Sequence, residues 1–125
     1  MSTHLETGRK GEEEAVKFLV KKGYQILHRN WTYDKDEIDI VAKLNELYVF
    51  VEVKSRTGTI HGFPEEAVDR SKKIRLLRAI DAYLEEYQID NEIRIDIVSV
   101  IFDGQKTIVS HFEDAVEWMD DSEWT

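Results

Sequence analysis

The chain has 125 residues, a formal net charge of −9 and 42% hydrophobic residues, which fits one domain with its own core. It contains no cysteine, so disulfide frameworks, zinc–thiolate sites and cysteine nucleophiles are excluded. No apolar run approaches the ~20 residues of a membrane span, and the N-terminus lacks the apolar stretch of a signal peptide. We therefore expect one cytoplasmic domain over residues 1–125, without a membrane partner and with a short acidic tail from about 120–125.

Hydrophobic periodicity predicts eight elements in chain order. Three helices are predicted, over residues 5–22, 65–87 and 112–119. Five strands are predicted, over residues 24–31, 37–43, 48–56, 93–102 and 107–111. Pro64 suits the start of the second helix, and Asp103-Gly104 is a hairpin signal between the last two strands. The order α-β-β-β-α-β-β-α predicts an α/β fold with a mixed central sheet flanked by helices.

The first helix carries a glutamate on its apolar side. Glu12 lies one helical turn before Ala15 and Val16, so it extends the stripe that faces the core. Gly8 and Gly11 beside it would allow another element to approach closely. A glutamate on the buried face is a candidate site residue, and the alternative is the ordinary preference of acids for the first helical turn.

Four charged residues on the second and third strands are predicted to share one face. If the strands pair symmetrically about their connection, opposite residue numbers sum to 91, so Asp39 faces Glu52 and Glu37 faces Lys54. Two opposed carboxylates repel each other and favour a hard divalent cation such as Mg²⁺ between them. The alternative is a Glu37–Lys54 salt bridge with Asp39 and Glu52 solvated. The opposite face is predicted to be apolar and buried: Ile38, Ile40, Ala42, Leu44, Val49, Val51 and Val53.

The charge is distributed unevenly along the chain. Residues 113–125 contain six acids and no lysine or arginine, whereas five of the nine residues from 70 to 78 are basic: Arg70, Lys72, Lys73, Arg75 and Arg78. The net charge of −9 disfavours binding to phosphates, but an acidic chain can still present a basic face. The alternative for this basic run is a solvated helix face.

The order of elements, with an acid on the first helix and Asp…Glu-x-Lys on a central hairpin, resembles the PD-(D/E)xK nuclease superfamily, which has the restriction-endonuclease-like fold. Further blocks resemble the YraN-like family of small bacterial proteins: GRKGEEEA (8–15), RNW (29–31), EIDIVA (37–42), VFVEVKSR (49–56), AV (67–68) with Lys72, and RIDIV (94–98). The resemblance covers roughly residues 8–116. The family usually has Gly-Glu-Ile-Asp where this chain has Asp36-Glu37-Ile38-Asp39, a change that keeps the expected ligands.

The resemblance implies a metal-dependent endonuclease that hydrolyses phosphodiester bonds of nucleic acid, with DNA preferred and branched DNA included. Asp39 and Glu52 would hold Mg²⁺, for which Mn²⁺ could substitute, and Glu12 would complete the catalytic metal site. Lys54 would orient or deprotonate the attacking water and contact the scissile phosphate. Nucleic-acid contacts are expected from Arg56, Lys72, Lys73 and Arg70.

The alternative function is a catalytically silent nuclease fold that serves as a nucleic-acid-binding or protein-interaction module. Retention of Asp39, Glu52 and Lys54 argues against it, and the net charge of −9 argues for it or for reliance on a partner. Cleavage of two strands or of a junction would favour a homodimer. The sequence leaves open DNA against RNA, linear against branched substrates, and one metal ion against two.

Overall fold

The computed structural model describes residues 4–58 and 70–119. These residues form α1 (His4–Lys21), β1 (Gln25–Tyr33), β2 (Asp36–Leu44), β3 (Leu47–Thr57), α2 (Arg70–Glu86), β4 (Ile93–Asp103) and β5 (Lys106–Phe112). The strands make one sheet in the order β1-β2-β3-β4-β5. Neighbouring strands are antiparallel except β3 and β4, which run parallel and are joined through the segment that contains α2. The predicted mixed sheet flanked by helices is confirmed.

α1 packs on one face of the sheet and ends where the chain turns back toward it. Gly23 has a φ of +96°. Its N–H donates to the Val20 carbonyl at 3.0 Å, and the Tyr24 N–H donates to the Leu19 carbonyl at 3.0 Å. This Schellman arrangement favours glycine, because a positive φ costs little without a Cβ. The core on this face comprises Ala15, Leu19, Tyr24, Ile40, Ala42, Val49, Val51, Val98 and Val100.

α2 packs on the other face through an aromatic centre. Tyr83 is buried, and its ring meets Phe50 and Trp31 edge-on at centroid distances of 5.5 and 5.1 Å. Its hydroxyl lies 2.9 Å from His28 Nδ1, so the one polar atom of this buried ring is hydrogen-bonded. The buried members of this core are Ile38, Val41, Phe50, Leu76, Leu77, Ala79, Ile80, Tyr83, Ile95, Ile97, Val116 and Met119.

β2 changes face at Asp39, which corrects part of the predicted register. The β2–β3 ladder runs from Ile40↔Val51 to Leu44↔Leu47, so the sum of 91 is confirmed there, but no ladder pair joins Asp39 with Glu52. Ile38 packs in the α2 core and Ile40 in the α1 core. Residues two apart in a regular strand share a face, so the predicted single apolar face is wrong at Ile38.

Residues 112–119 do not form the predicted third helix. The chain leaves β5 through a turn in which Asp114 has a φ of +53°, a value outside the right-handed helical region. The Ala115 N–H donates to the Ile95 carbonyl at 2.9 Å, and Val116 and Met119 fill the α2 core from a segment without regular secondary structure. Apolar residues three apart satisfy this core without helical geometry.

Some sequence expectations fall outside the described residues. These are the first part of the predicted second helix, with Pro64 and residues 67–68, and the acidic tail at 120–125. Within the described ranges, neither helix combines the length and apolar character that a membrane crossing requires.

Candidate metal and nucleic-acid site

A cleft of about 820 Å³ lies between the N-terminal half of α1 and the ends of β2 and β3. Its charged and amide-bearing lining residues are Arg9, Glu12, Asn30, Glu37, Asp39, Lys54, Arg56 and Lys72. A smaller hollow of about 250 Å³ shares Glu37, Asp39 and Lys72 with it and adds Glu52 and Arg75. The point at which β2 changes face, Asp39, is therefore also where the predicted site residues meet.

Asp39 is tied to the backbone of the neighbouring strand. Its Oδ2 accepts a hydrogen bond of 2.7 Å from the Val53 N–H, the amide between Glu52 and Lys54. Burial and the nearby charge of Glu52 raise the pKa of Asp39 to about 8, although the Val53 N–H lowers it in part. Such a raised pKa in a cleft is typical of functional carboxyls, because clustered carboxylates favour a proton or a bound cation.

Glu52 forms an ion pair with a lysine of α2. Lys72 Nζ, in the first turn of α2, lies 2.9 Å from Glu52 Oε1. The Glu52 side chain is only 9% exposed, whereas that of Lys72 is 37% exposed. Sequence reasoning assigned Lys72 to the nucleic-acid backbone, and α2 brings its ammonium to a predicted metal ligand.

Glu12 lies on the sheet side of α1, as predicted, and its carboxylate is held by β1. Arg29 Nε and Asn30 Nδ2 both donate to Glu12 Oε1, at 3.0 and 2.9 Å. Asn30 has a φ of +52° and stands between the ladder pairs Arg29↔Ile40 and Trp31↔Ile38. Asparagine tolerates this conformation better than most residues. The sequence analysis did not predict that Asn30 holds Glu12, and the signal for it was an asparagine inside a predicted strand.

Lys54 and Arg56 extend the site along β3. Both are half-buried and line the larger cleft, as the alternation of side chains on one strand face predicts. Burial lowers the pKa of Lys54, and the positive charges of Lys72 and Arg56 lower it further, while Glu52 opposes this change. The cleft therefore joins acidic residues on β2 and α1 with a basic wall on β3 and α2.

Residues 11–100 match the sequence profile of a family described as "Uncharacterised protein family UPF0102". A UPF0102 protein of Bacteroides thetaiotaomicron is 47% identical over 116 residues, which cover 92% of this chain and 95% of the relative. One from Phocaeicola vulgatus is 43% identical over 117 residues, with the same coverage, 92% and 95%. The chain belongs to the UPF0102 family. The predicted YraN-like membership is confirmed, since UPF0102 is the YraN-like group.

The region shared with the UPF0102 profile includes the close contact between α1 and β3. A Cβ built on Gly11 would collide with the side chain of Ser55, whereas one built on Gly8 would meet nothing within 4 Å. The predicted close approach is therefore confirmed at Gly11 and does not occur at Gly8. Gly11 precedes Glu12 directly, so this contact fixes the distance between the Glu12 carboxylate and β3.

Lys72 and Arg75 border the carboxylates, and the other members of the basic run lie elsewhere on α2. Arg70 borders a separate shallow hollow with Ser71, Ile74, Arg75 and Arg78. Lys73 is half-buried and is not among the residues that line the cleft. The basic run is thus divided, with Lys72 directed to the carboxylates and Arg70 placed along the outside of the helix.

The residues present fit a hard divalent cation held by two carboxylates. Across residues 4–58 and 70–119, no three His, Cys, Asp or Glu side chains converge closely enough to hold a metal ion as they stand. Asp39 and Glu52 offer carboxylate oxygens, and Mg²⁺ commonly keeps several waters beside one or two such ligands. The ammonium of Lys72 already places a positive charge against Glu52. Glu12, held by Arg29 and Asn30, would act beside this pair.

Proposed function

We propose that this UPF0102 protein is a Mg²⁺-dependent endonuclease that hydrolyses phosphodiester bonds of nucleic acid, with DNA preferred and branched DNA included. One observation carries the proposal. The carboxylate of Asp39 accepts a hydrogen bond from the amide that separates Glu52 from Lys54. Two acids and an amine are thereby held together where the cleft meets the smaller hollow, and this set of groups can support metal-assisted phosphodiester hydrolysis.

Each residue has a separate task in this reaction. Asp39 and Glu52 hold the cation, and Mn²⁺ replaces Mg²⁺ because both prefer oxygen ligands. A bound Mg²⁺ supplies an acidified water and neutralises charge on the phosphate in the transition state. Lys54 orients the attacking water and contacts the scissile phosphate. Glu12, fixed by Arg29 and Asn30, completes the acidic side of the cleft.

The basic wall of the cleft accounts for substrate binding in this proposal. Arg56 and Lys72 line the cleft with Arg9, while the net charge of the whole chain is −9. A local basic surface attracts a polyanion even when the total charge is negative, because salt screens charges farther than about 10 Å away. Arg70 and Lys73 extend this surface along α2.

A nuclease assay with Mg²⁺ and with Mn²⁺, on linear, flapped and four-way DNA and on RNA, tests the proposal. We expect cleavage by the wild type and at least a ~10²-fold loss in Lys54→Ala, with metal affinity retained. The double variant Asp39→Asn, Glu52→Gln should lose both cleavage and metal binding. Glu46→Gln, an exposed residue at the far end of the same hairpin, is the matched control and should cleave like the wild type.

The second candidate, a silent nuclease fold that binds nucleic acid or protein, is favoured by the Glu52–Lys72 ion pair, which balances Glu52 without a metal. Ca²⁺ supports binding without cleavage in the same assay and separates the two functions. Binding with Ca²⁺ but no cleavage with Mg²⁺ or Mn²⁺ would support the silent module. Sedimentation with a four-way junction tests the homodimer that cutting both strands would favour.

A further inference from the structure

Glu52 already binds a cation that belongs to the protein. The Glu52 side chain is 9% exposed, and its Oε1 lies 2.9 Å from Lys72 Nζ. A carboxylate this deeply buried is unstable without a partner, so the ammonium stabilises the metal-free fold. A divalent cation held by Asp39 and Glu52 would take an oxygen of the same carboxylate that Lys72 contacts.

The two partners of this pair differ in freedom to move. Glu52 lies on β3, where its backbone pairs with Ile97 of β4 directly beside the last β2–β3 pair, Ile40 with Val51. Lys72 is the third residue of α2, and its side chain is 37% exposed. A lysine carries its charge on a flexible four-carbon stem, so the ammonium can leave while the carboxylate stays.

The place to which Lys72 can move is also defined. Lys72 lines both the small hollow with Glu52 and the larger cleft with Lys54 and Arg56. Because Lys72 already borders both hollows, a change of its side-chain rotamer would move the ammonium from the carboxylates into the larger cleft.

We infer that Lys72 and a divalent cation exchange at Glu52. Lys72 holds Glu52 in the metal-free protein, leaves when the cation binds, and then contacts the phosphate of the nucleic acid in the cleft. Repulsion between the ammonium and the incoming cation drives this exchange, since both are positive and would share one carboxylate. This inference rests on the proposed metal site. It adds that metal binding must displace the ammonium of Lys72 from Glu52.

Titration calorimetry with Mn²⁺ on the metal-free protein, at fixed pH and low salt, tests the exchange. Lys72→Met keeps the length of the side chain and removes its charge. We expect it to bind Mn²⁺ about five- to tenfold more tightly than the wild type, and to melt at a lower temperature without metal. Lys73→Met makes the same charge change one residue later and should alter the Mn²⁺ affinity less than twofold.

A second variant covers the case in which Lys72→Met does not fold without metal. Lys72→Arg keeps the charge and can hold the carboxylate with two parallel hydrogen bonds, so it should bind Mn²⁺ at least threefold more weakly than the wild type. Equal or weaker affinity in Lys72→Met, or unchanged affinity in Lys72→Arg, would overturn the exchange. If the wild type and the Asp39→Asn, Glu52→Gln variant bind Mn²⁺ equally, the metal site itself fails instead.

Discussion

The buried Asp96 and the half-buried Asp39 show how a carboxylate behaves in this fold with several hydrogen-bond donors and with few. Asp96 on β4 is fully buried and accepts two bonds of 2.9 Å from Arg94, one of 2.7 Å from His111 and one of 2.9 Å from the Asp114 N–H. Burial acts to raise the pKa of Asp96, but these bonds outweigh it and lower the pKa.

Asp39 has the opposite balance. Of the donors in the described part of the chain, it receives the Val53 N–H, and Glu52, Glu37 and Glu12 lie near enough to raise its pKa. A carboxylate with four hydrogen bonds joins β4 and β5 and stabilises the fold. A carboxylate with one hydrogen bond and three acidic neighbours retains lone pairs for a cation, which is what the proposed role of Asp39 as a metal ligand needs.

The largest expected effect comes from breaking the supported aspartate. Asp96→Ala should lower the free energy of unfolding by about 3–5 kcal/mol, because it removes the buried carboxylate of the network and leaves the mostly buried Arg94 with the exposed Glu113 as its acidic partner. Urea denaturation at pH 7 measures this loss. Asp103→Ala, an exposed aspartate on the same strand, is the control. A loss below ~1 kcal/mol would show that the network around Asp96 adds little to stability.

The second prediction is that a substitution at Asp39 raises the free energy of unfolding, whereas the one at Asp96 lowers it. In the folded protein its pKa is about 8, against 3.8 for a model carboxyl. The folded state then binds the proton more tightly than the unfolded state, so metal-free stability falls as pH rises from about 4 to about 8. Asp39→Asn removes this loss and should make the metal-free protein more stable at pH 8 by at least ~1.4 kcal/mol, the equivalent of one pKa unit.

Urea denaturation at pH 5 and pH 8 with a chelator present measures this difference. The wild type should lose more stability between the two pH values than Asp39→Asn does, and Glu46→Gln should behave like the wild type. If the variant and the wild type lose stability equally, Asp39 is ionised at the same pH in the folded and unfolded states.

The third prediction concerns the asparagine that holds Glu12. Asn30→Gly permits the φ of +52°, whereas Asn30→Ala imposes a Cβ on it. Both variants lose the hydrogen bond to Glu12, so the glycine variant should be more stable than the alanine variant by ~1 kcal/mol. Thermal melts of the two proteins check this. Equal stabilities would mean that the backbone at Asn30 relaxes when its side chain is lost.

The smallest effect on stability is expected at an arginine of the cleft. Arg56→Ala should change the free energy of unfolding by less than ~0.5 kcal/mol, because Arg56 is half-buried beside other cations. It should still weaken DNA binding for all sequences and reduce the slope of log K against log salt by about one unit. Fluorescence anisotropy with Ca²⁺ in place of Mg²⁺ measures that slope. An unchanged slope would remove Arg56 from the interface.

The sequence predicted the residues of the site better than their arrangement. The spacing of Asp39, Glu52 and Lys54 predicted that they lie together. The position of Glu12 on the apolar side of its helix predicted that this side chain faces the sheet. The change of face at Asp39 was not predicted, because regular alternation keeps Ile38 and Ile40 on one face, whereas here they lie in different cores beside Asn30, which has a positive φ. The arrival of Lys72 at Glu52 depends on how α2 packs, which spacing along the chain does not reveal.

The errors in the fold have the same physical origin. Val116 and Met119 have helical spacing, but they are buried from an irregular segment in which the Ala115 N–H donates to the Ile95 carbonyl of β4. The sequence indicated residues 94–98 only through their family resemblance, and it did not predict the hydrogen bonds around Asp96. Its signal was present in the sequence, since Arg94 and Asp96 place opposite charges on one face of an otherwise apolar strand.

The parallel pairing of β3 with β4 has a consequence for the order of folding. β1, β2 and β3 are antiparallel neighbours in the chain, whereas β4 reaches β3 only after the intervening segment with α2 has closed a long loop. Contacts that close long loops form late, so we expect the acids of β2 and β3 to assemble before Lys72 arrives. Lys72→Met should therefore change the unfolding rate more than the refolding rate, which stopped-flow fluorescence of the three tryptophans would measure.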